Sequence, residues 1–431
     1  MAIEKNNKKL INAWCMYDWA NSVYSLTITT AVFPGYYLAV AKDRVNFLGF
    51  DVLSSALYSW SLSCSFLIAA LLSPFLTSIA DYTGRKKLFM QMFCYLGSFS
   101  CAYLYFFSLD NISLGMLAFI LAGMGYSGSI VFYNSFLPEI ATEDQMDKVS
   151  AKGFAFGYIG SVLLLIVNLA MLIKPQIFGL QSEGQAAKIS FLSVGIWWFL
   201  FAQYTFYYLP SNVYKHKAEG NWIFNGLKEL KKVFNELKHQ TLLKKFLPAF
   251  FFYNMGVQTV MYMATIFGKG ELKLETEQLI IVILLIQIIA IPGAQLCARL
   301  SGSLGNIKVL MIVISIWIGV CITAYFITSA TQFYILAVIV GFVMGGVQSM
   351  SRSTYAKLIP QDTIDHASYF SFYDVADKVS TFLGTLLFGV INTMAGGMRP
   401  SALALGVFFV MGIVFISGIP SLKTYSASTA K

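Results

Sequence analysis

The sequence predicts an all-α membrane protein: twelve transmembrane helices in two pseudo-symmetric six-helix bundles. Three observations carry this. Of 431 residues, 57% are hydrophobic and only 12% charged, against roughly a quarter charged in an ordinary soluble domain. Twelve apolar runs approach the length of around 20 residues needed to cross about 30 Å of hydrocarbon. Six of them precede residue 210 and six follow residue 244, with the longest polar stretch of the chain between them.

In chain order the runs are 13–41, 54–80, 87–108, 111–137, 149–173, 187–209, 246–268, 276–299, 307–329, 331–358, 367–394 and 400–421. The first follows Lys5, Lys8 and Lys9 but is far longer than a signal-peptide core and shows no small-residue cleavage site, so it reads as a retained span. Within it, Pro34-Gly35 predicts a kink. All six cysteines (Cys15, Cys64, Cys94, Cys101, Cys297, Cys321) fall inside runs, with no CxxC pair or clustered histidine. They read as buried thiols, and no metal or cofactor is expected. With the N-terminus inside, most of the 30 Lys and Arg residues fall in cytoplasmic segments, as the positive-inside bias requires. The formal net charge of +9 therefore orients the chain, with both termini cytoplasmic, in the cytoplasmic membrane, and it touches anionic lipid rather than nucleic acid.

The polar stretch divides the chain into residues 1–209, a basic linker 210–243, and residues 244–431. In the linker Ile223, Leu227, Leu230, Phe234 and Leu237 recur at helical spacing, with Lys228, Lys231, Lys232 and Lys238 on other faces. This describes an amphipathic helix in the membrane interface, or a calmodulin-like target. The two flanking parts resemble each other. "MYDWANSVYSLTITT" answers "FYNMGVQTVMYMAT", pairing Tyr17 with Tyr253, Asp18 with Asn254, Ala20 with Gly256 and Ser22 with Gln258. A shift of 222 pairs Gly123 with Gly345, Ser127 with Ser349, Ser129 with Ser351, Tyr133 with Tyr355 and Pro138 with Pro360. Duplicated units with a site between them are typical of secondary transporters.

The segment "SPFLTSIADYTGRKKLF" between runs 2 and 3 places Asp81, Gly84, Arg85, Lys86 and Lys87 in a tight turn. It resembles the loop signature of the major facilitator superfamily, an acid followed three residues later by glycine and a basic cluster. That resemblance implies that Asp81, Gly84 and Arg85 form a latch across to the other half when the cytoplasmic side is shut. The second copy, "GAQLCARLSGSLGNIKVL", keeps Gly305 and Lys308 but has Gly302 in place of the acid. "YDWANS" (17–22), "FYNSFLPEIA" (132–141), "VSAKGFAFGYIG" (149–160), "GGVQSMSRSTYAKLIP" (345–360) and "FSFYDVADKVSTFLGTLLFG" (370–389) together resemble the "unknown major facilitator" branch, which includes the vacuolar amino-acid effluxers of autophagy. The branch commonly carries an acid in run 7 where this chain has Met255. By resemblance alone, amino acids or peptides are the expected substrates and the chain is expected to be a monomer.

An intramembrane charge costs roughly 3 kcal/mol on insertion scales, so each needs a reason. Lys378 lies about 18 Å into run 11 at 1.5 Å per residue, with Asp374 one turn before it on the same face and Asp377 adjacent. It is either a cavity-facing cation tuned by those acids, available to a substrate carboxylate or to proton exchange, or half of a pair that neutralises itself. Asp18 sits in the first turns of run 1, where the helix dipole favours an acid. Yet Asn21, Ser22, Ser25 and Thr29 extend it into a polar stripe, which suits a substrate or proton site. Arg352 either snorkels to the interface or pairs with Asp18 or a substrate anion. Gln348, Asn254 and Gln258 complete the candidate set of Asp18, Asn21, Asn254, Gln258, Gln348, Arg352, Asp374 and Lys378.

No HExxH, GxSxG, Walker loop or paired-acid metal motif is present, which argues against a membrane-embedded lipid-modifying enzyme. A proton-coupled secondary transporter of a small organic solute is the expectation, with a non-coupled scramblase or sensor of the same fold as the alternative.

Overall fold

The structure is a computed structural model, and it describes residues 4–41, 43–211, 222–360, 362–395 and 397–420. The far C-terminus and part of the expected linker lie outside the described residues. The chain forms α1 (Lys8–Val23), α2 (Phe33–Val40), α3 (Ser54–Thr83), α4 (Lys86–Tyr103), α5 (Ile112–Ser135), the short α6 (Leu137–Ile140), α7 (Met146–Ile173), α8 (Glu183–Tyr208) and α9 (Trp222–His239). Then follow α10 (Thr241–Glu271), α11 (Thr276–Leu304), α12 (Asn306–Phe326), α13 (Ala330–Leu358), α14 (His366–Ala395) and α15 (Met398–Ser417). Eight of these helices are individually long and apolar enough to cross a membrane, and the bent pair Lys8–Ala31 with Phe33–Val40 makes nine. With α4, α10 and α14 in the remaining places, the twelve expected spans are accounted for in an all-α multi-pass membrane protein.

The first span breaks differently from the expectation. Residues Tyr24–Ala31 are π-helical, with Val32 N–H donating to Thr27 O at 2.9 Å and Thr30 Oγ1 to Ser25 O at 2.9 Å. The 40° bend falls at this junction, and Pro34 sits in the first turn of α2, where its missing N–H costs nothing. A hairpin not foreseen from the sequence, β1 (Arg44–Phe47) with β2 (Phe50–Leu53), follows.

Helix packing repeats between the two sets. Contacts of α1 with α7 and α8, of α3 with α5, and of α4 with α5 and α8 correspond to those of α10 with α14 and α15, of α11 with α13, and of α12 with α13 and α15. The matched glycines serve matched approaches. A Cβ on Gly123 would come within 2.5 Å of Ser65 Oγ on α3, and one on Gly345 within 2.0 Å of Ala290 O on α11. Such distances require a hydrogen at both positions. The two sets meet chiefly through α3 with α14 and through α7 with α11 and α13.

Helix α9, which takes up residues 222–239 of the expected linker, is docked on the bundle at the ends of α3 and α14. Val233 is fully buried, Asn225 Nδ2 donates to Tyr82 OH at 2.9 Å, and Tyr369 OH donates to Glu236 Oε2 at 3.0 Å. Lys232 Nζ reaches Asp365 Oδ2 at 3.1 Å. Leu227 and Phe234, expected on the lipid-facing stripe, stay exposed, while Leu230 and Leu237 are half-buried. The N-terminus lies at this same end, with Asn6 N–H bonded to Ile140 O at 2.8 Å; we call it the linker end.

Candidate functional site

A central cavity of about 270 Å³ lies between the two sets of helices. Its charged lining residues are Asp18, Arg352, Asp377 and Lys378, and they form two ion pairs.

The first pair joins the two sets. Arg352, on α13, is buried and its Nη1 donates to Asp18 Oδ2 at 3.2 Å, while Tyr133 OH donates to the same oxygen at 2.7 Å. Arg352 Nε and Nη2 donate to Ser150 Oγ and Ser150 O at 3.0 and 2.8 Å, and Nη1 also reaches Asn134 Oδ1 at 3.4 Å. The guanidinium carbon lies 4.0 Å from the ring centre of Phe154 and 4.8 Å from that of Trp14, so the charge is held by cation–π attraction as well. Gly153 makes the space: a Cβ there would sit 2.7 Å from Asp18 Oδ2 and 2.9 Å from Arg352 Nη2. Arg352 is therefore held inside the bundle rather than at its surface, with four N–H bonds to protein groups from α1, α5 and α7.

The second pair lies within the second set. Lys378 Nζ donates to Asp377 Oδ2 at 2.6 Å and lies 3.5 Å from Asp374 Oδ1. Asp377 Oδ1 accepts from Asn254 Nδ2 at 2.9 Å and Gln258 Nε2 at 3.2 Å, and Asn254 also donates to Ser380 Oγ at 2.8 Å. The closer partner of Lys378 is thus its chain neighbour rather than the residue one helical turn away. Asp374 stands behind the lysine and outside the cavity lining. Asn21 is likewise buried away from the cavity, with Nδ2 unpartnered among the described residues. Gln348 does line the cavity, its Oε1 accepting from Tyr158 OH at 2.6 Å.

The linker end is closed by a further series of bonds between the two sets. Asp81 accepts from Ser368 N–H at 2.7 Å, Ser368 Oγ at 2.8 Å and Ala367 N–H at 3.3 Å, all at the N-terminus of α14, where a carboxylate also meets the helix dipole. Gly84, at φ 67°, ends α3 in the left-handed conformation that favours glycine. Arg85 is exposed and, among the described residues, joins no ion pair. The basic residues that reach inward are its neighbours: Lys86 bonds Glu139 on α6 and Lys87 donates to Leu209 O at 2.8 Å, both within the first set. Among the described residues the cross-set bond on this side is made by Asp81 and not by Arg85.

At the pseudo-symmetric position the polarity is reversed. Where the α11–α12 turn lacks an acid, Asp147 at the start of α7 supplies one. It accepts from Ser301 Oγ at 2.6 Å, Asn306 Nδ2 at 2.8 Å and Lys357 Nζ at 2.6 Å. Ser150 Oγ adds a bond to Ser349 O at 2.8 Å. Among the described residues, every hydrogen bond between the two sets lies from the cavity toward the linker end. The cavity extends the other way, past Ser25, Thr30 and Thr265.

Sequence reasoning did not place Asp147 or Ser150 in the site, named Asp377 only as an acid that could tune Lys378, and ranked Tyr133 only as a weaker candidate. Adjacent Asp377 and Lys378 do not share a helical face, and Asp147 resembled an ordinary loop acid. The available signal was the missing acid at Gly302, which called for a substitute elsewhere.

The chain matches the family described as vacuole effluxer Atg22-like over residues 6–426. It is similar to the uncharacterized MFS-type transporter YxiO of Bacillus subtilis, 34% identical and covering 96% of each chain. It also resembles the autophagy-related protein 22 of Vanderwaltozyma polyspora, 27% identical over 87% of this chain and 78% of that one. Among solved structures, the fold matches the major facilitator superfamily transporter FucP in its outward conformation, with TM-score 0.71, 12% identity, and 96% and 98% of the two chains covered. The proton:xylose symporter XylE matches at TM-score 0.70 with 14% identity and 96% of each chain covered.

Proposed function

Since the chain belongs to the Atg22-like family of major facilitator transporters, we propose that it is a proton-coupled secondary transporter of a small organic solute in the size range of amino acids or short peptides. It works in the cell membrane with its linker end in the cytoplasm, and the state described is the one shut on that side.

The observation that carries this reading is the Asp18–Arg352 pair. It is buried, it bridges the two sets of helices, and it forms the floor of the cavity on the closed side. A carboxylate in that place couples protonation to opening. With Asp18 charged, Arg352 is neutralised and the sets are held together. With Asp18 protonated, an uncompensated guanidinium is left in a desolvated site, which favours separation of the linker ends. Solute enters from the open side, the sets rock about the cavity, and proton and solute leave together or exchange. Asp81 and Asp147 close the same end below the pair without touching the cavity. The relatives' names place the branch among effluxers and MFS-type transporters, which agrees with transport rather than catalysis.

The test is flux through purified protein in liposomes with an imposed pH gradient. Solute movement that follows the gradient, with Asp18→Asn losing gradient-driven flux but still folding, is expected. Equal gradient-driven rates in Asp18→Asn and wild type would refute the role of Asp18.

A further inference from the structure

We propose that the cavity selects organic cations, receiving the substrate's ammonium group on the Asp377 carboxylate among surrounding aromatic rings. This rests on the transporter reading above and gives its substrate a charge.

In both ion pairs the cavity sees more of the acid than of the base. The Asp377 side chain is 21% exposed against 9% for Lys378, and that of Asp18 is 10% against 4% for Arg352. Both cations are also already committed. Arg352 makes bonds to Asp18, Ser150 and Asn134, and Lys378 is held between Asp377 and Asp374. Each cavity-lining cation is thus already neutralised by an acid, and the three acids of the two clusters outnumber their two bases.

Asp377 has a place for a further donor. A carboxylate offers about four lone-pair sites, and three are used, by Asn254, Gln258 and Lys378. The walls beside it suit a positive charge. Phe66, Tyr126 and Tyr262 line the cavity, Phe66 and Tyr262 stand 6.5 Å apart between ring centres, and Lys378 Nζ itself lies 5.9 Å from the Phe66 centroid. Ring faces attract cations and repel carboxylates.

The experiment measures binding of three probes with one phenyl skeleton to the purified full chain: phenethylamine as cation, phenylalanine as zwitterion and 3-phenylpropanoate as anion. The expected order is cation, zwitterion, anion, with roughly tenfold or more between the first and last, as loss of a charge-assisted bond implies. Asp377→Asn should lower phenethylamine affinity by about tenfold on the same basis. Because that change also loosens Lys378, Tyr262→Leu is the second arm. It leaves both ion pairs intact and should weaken phenethylamine but not 3-phenylpropanoate. Tightest binding by the anion, indifference of phenethylamine to both variants, or no binding of any probe would each overturn the proposal. The transporter reading is judged separately, by the ligand-free conformational measurement on Asp18→Asn described below.

Discussion

Replacing Asp18 by Asn removes one charge from a pair that holds the linker end shut, and the structure sets the size of the effect. Breaking a buried pair by deleting one partner costs about 3–5 kcal/mol. The lower end applies here, because asparagine keeps an oxygen for Tyr133 and Arg352, and Arg352 retains its two bonds to Ser150. About 3 kcal/mol is roughly a hundredfold change in an equilibrium constant. Spin or fluorescent labels at Glu143→Cys and Lys308→Cys, exposed positions of the first and second sets near the linker end, report the separation. Five of the six native cysteines are buried, which keeps background labelling low. In wild type at neutral pH the short distance should dominate. In Asp18→Asn the long distance should gain by about two orders of magnitude relative to it. An unchanged distance distribution in Asp18→Asn would refute the proposed coupling of this carboxylate to closure.

Gly153→Ala should act like a weaker form of the same lesion, since the new methyl displaces Asp18 and Arg352; flux should fall, whereas Gly302→Ala, with nothing within 4 Å, should be neutral in the same assay. Asp147→Ala and Ser301→Ala should each lower thermal stability. Their double-mutant cycle should return a coupling of about 0.5–3 kcal/mol, and additivity would count against the contact. Asp365 is pushed up to about 6 by burial and by the nearby Glu229 charge, against the pull of Lys232. Its value in the docked state exceeds the free one, so docking of α9 is strongest below about pH 4, weakens as pH rises through about 6, and is level above. Hydrogen exchange in α9, corrected for intrinsic rates, should show that loss of protection, and Asp365→Asn should flatten it.

Much of the architecture can be read in the sequence because hydrophobic run length is a local property that the bilayer imposes on each span independently. The shift of 222 also paired Gly123 with Gly345, and both turn out to sit where another helix comes too close for a side chain. Pairing between helices is another matter. Asp18 and Lys378 stand out by their cost in lipid, but nothing local says that Asp18 meets Arg352, more than three hundred residues away. Periodicity favoured Asp374 over Asp377 as the partner of Lys378, and the observed rotamers reversed that order because Asn254 and Gln258 draw Asp377 toward the cavity. The docking of α9 was hidden for the same reason: its moment shows that one face is apolar, not whether lipid or the ends of α3 and α14 cover it.

The reversed polarity of the two closing contacts bears on how the halves can be combined. Two copies of the first six-helix set, placed face to face, would bring Asp81 against the start of α7 with its own Asp147, acid against acid. Two copies of the second set would bring Ser301 and Asn306 against Ser368, with neither Asp81 nor Asp147 between them. Only the unlike pair matches each carboxylate to its donors. A protein assembled from two copies of either six-helix set should therefore fail to close at the linker end however well its helices pack.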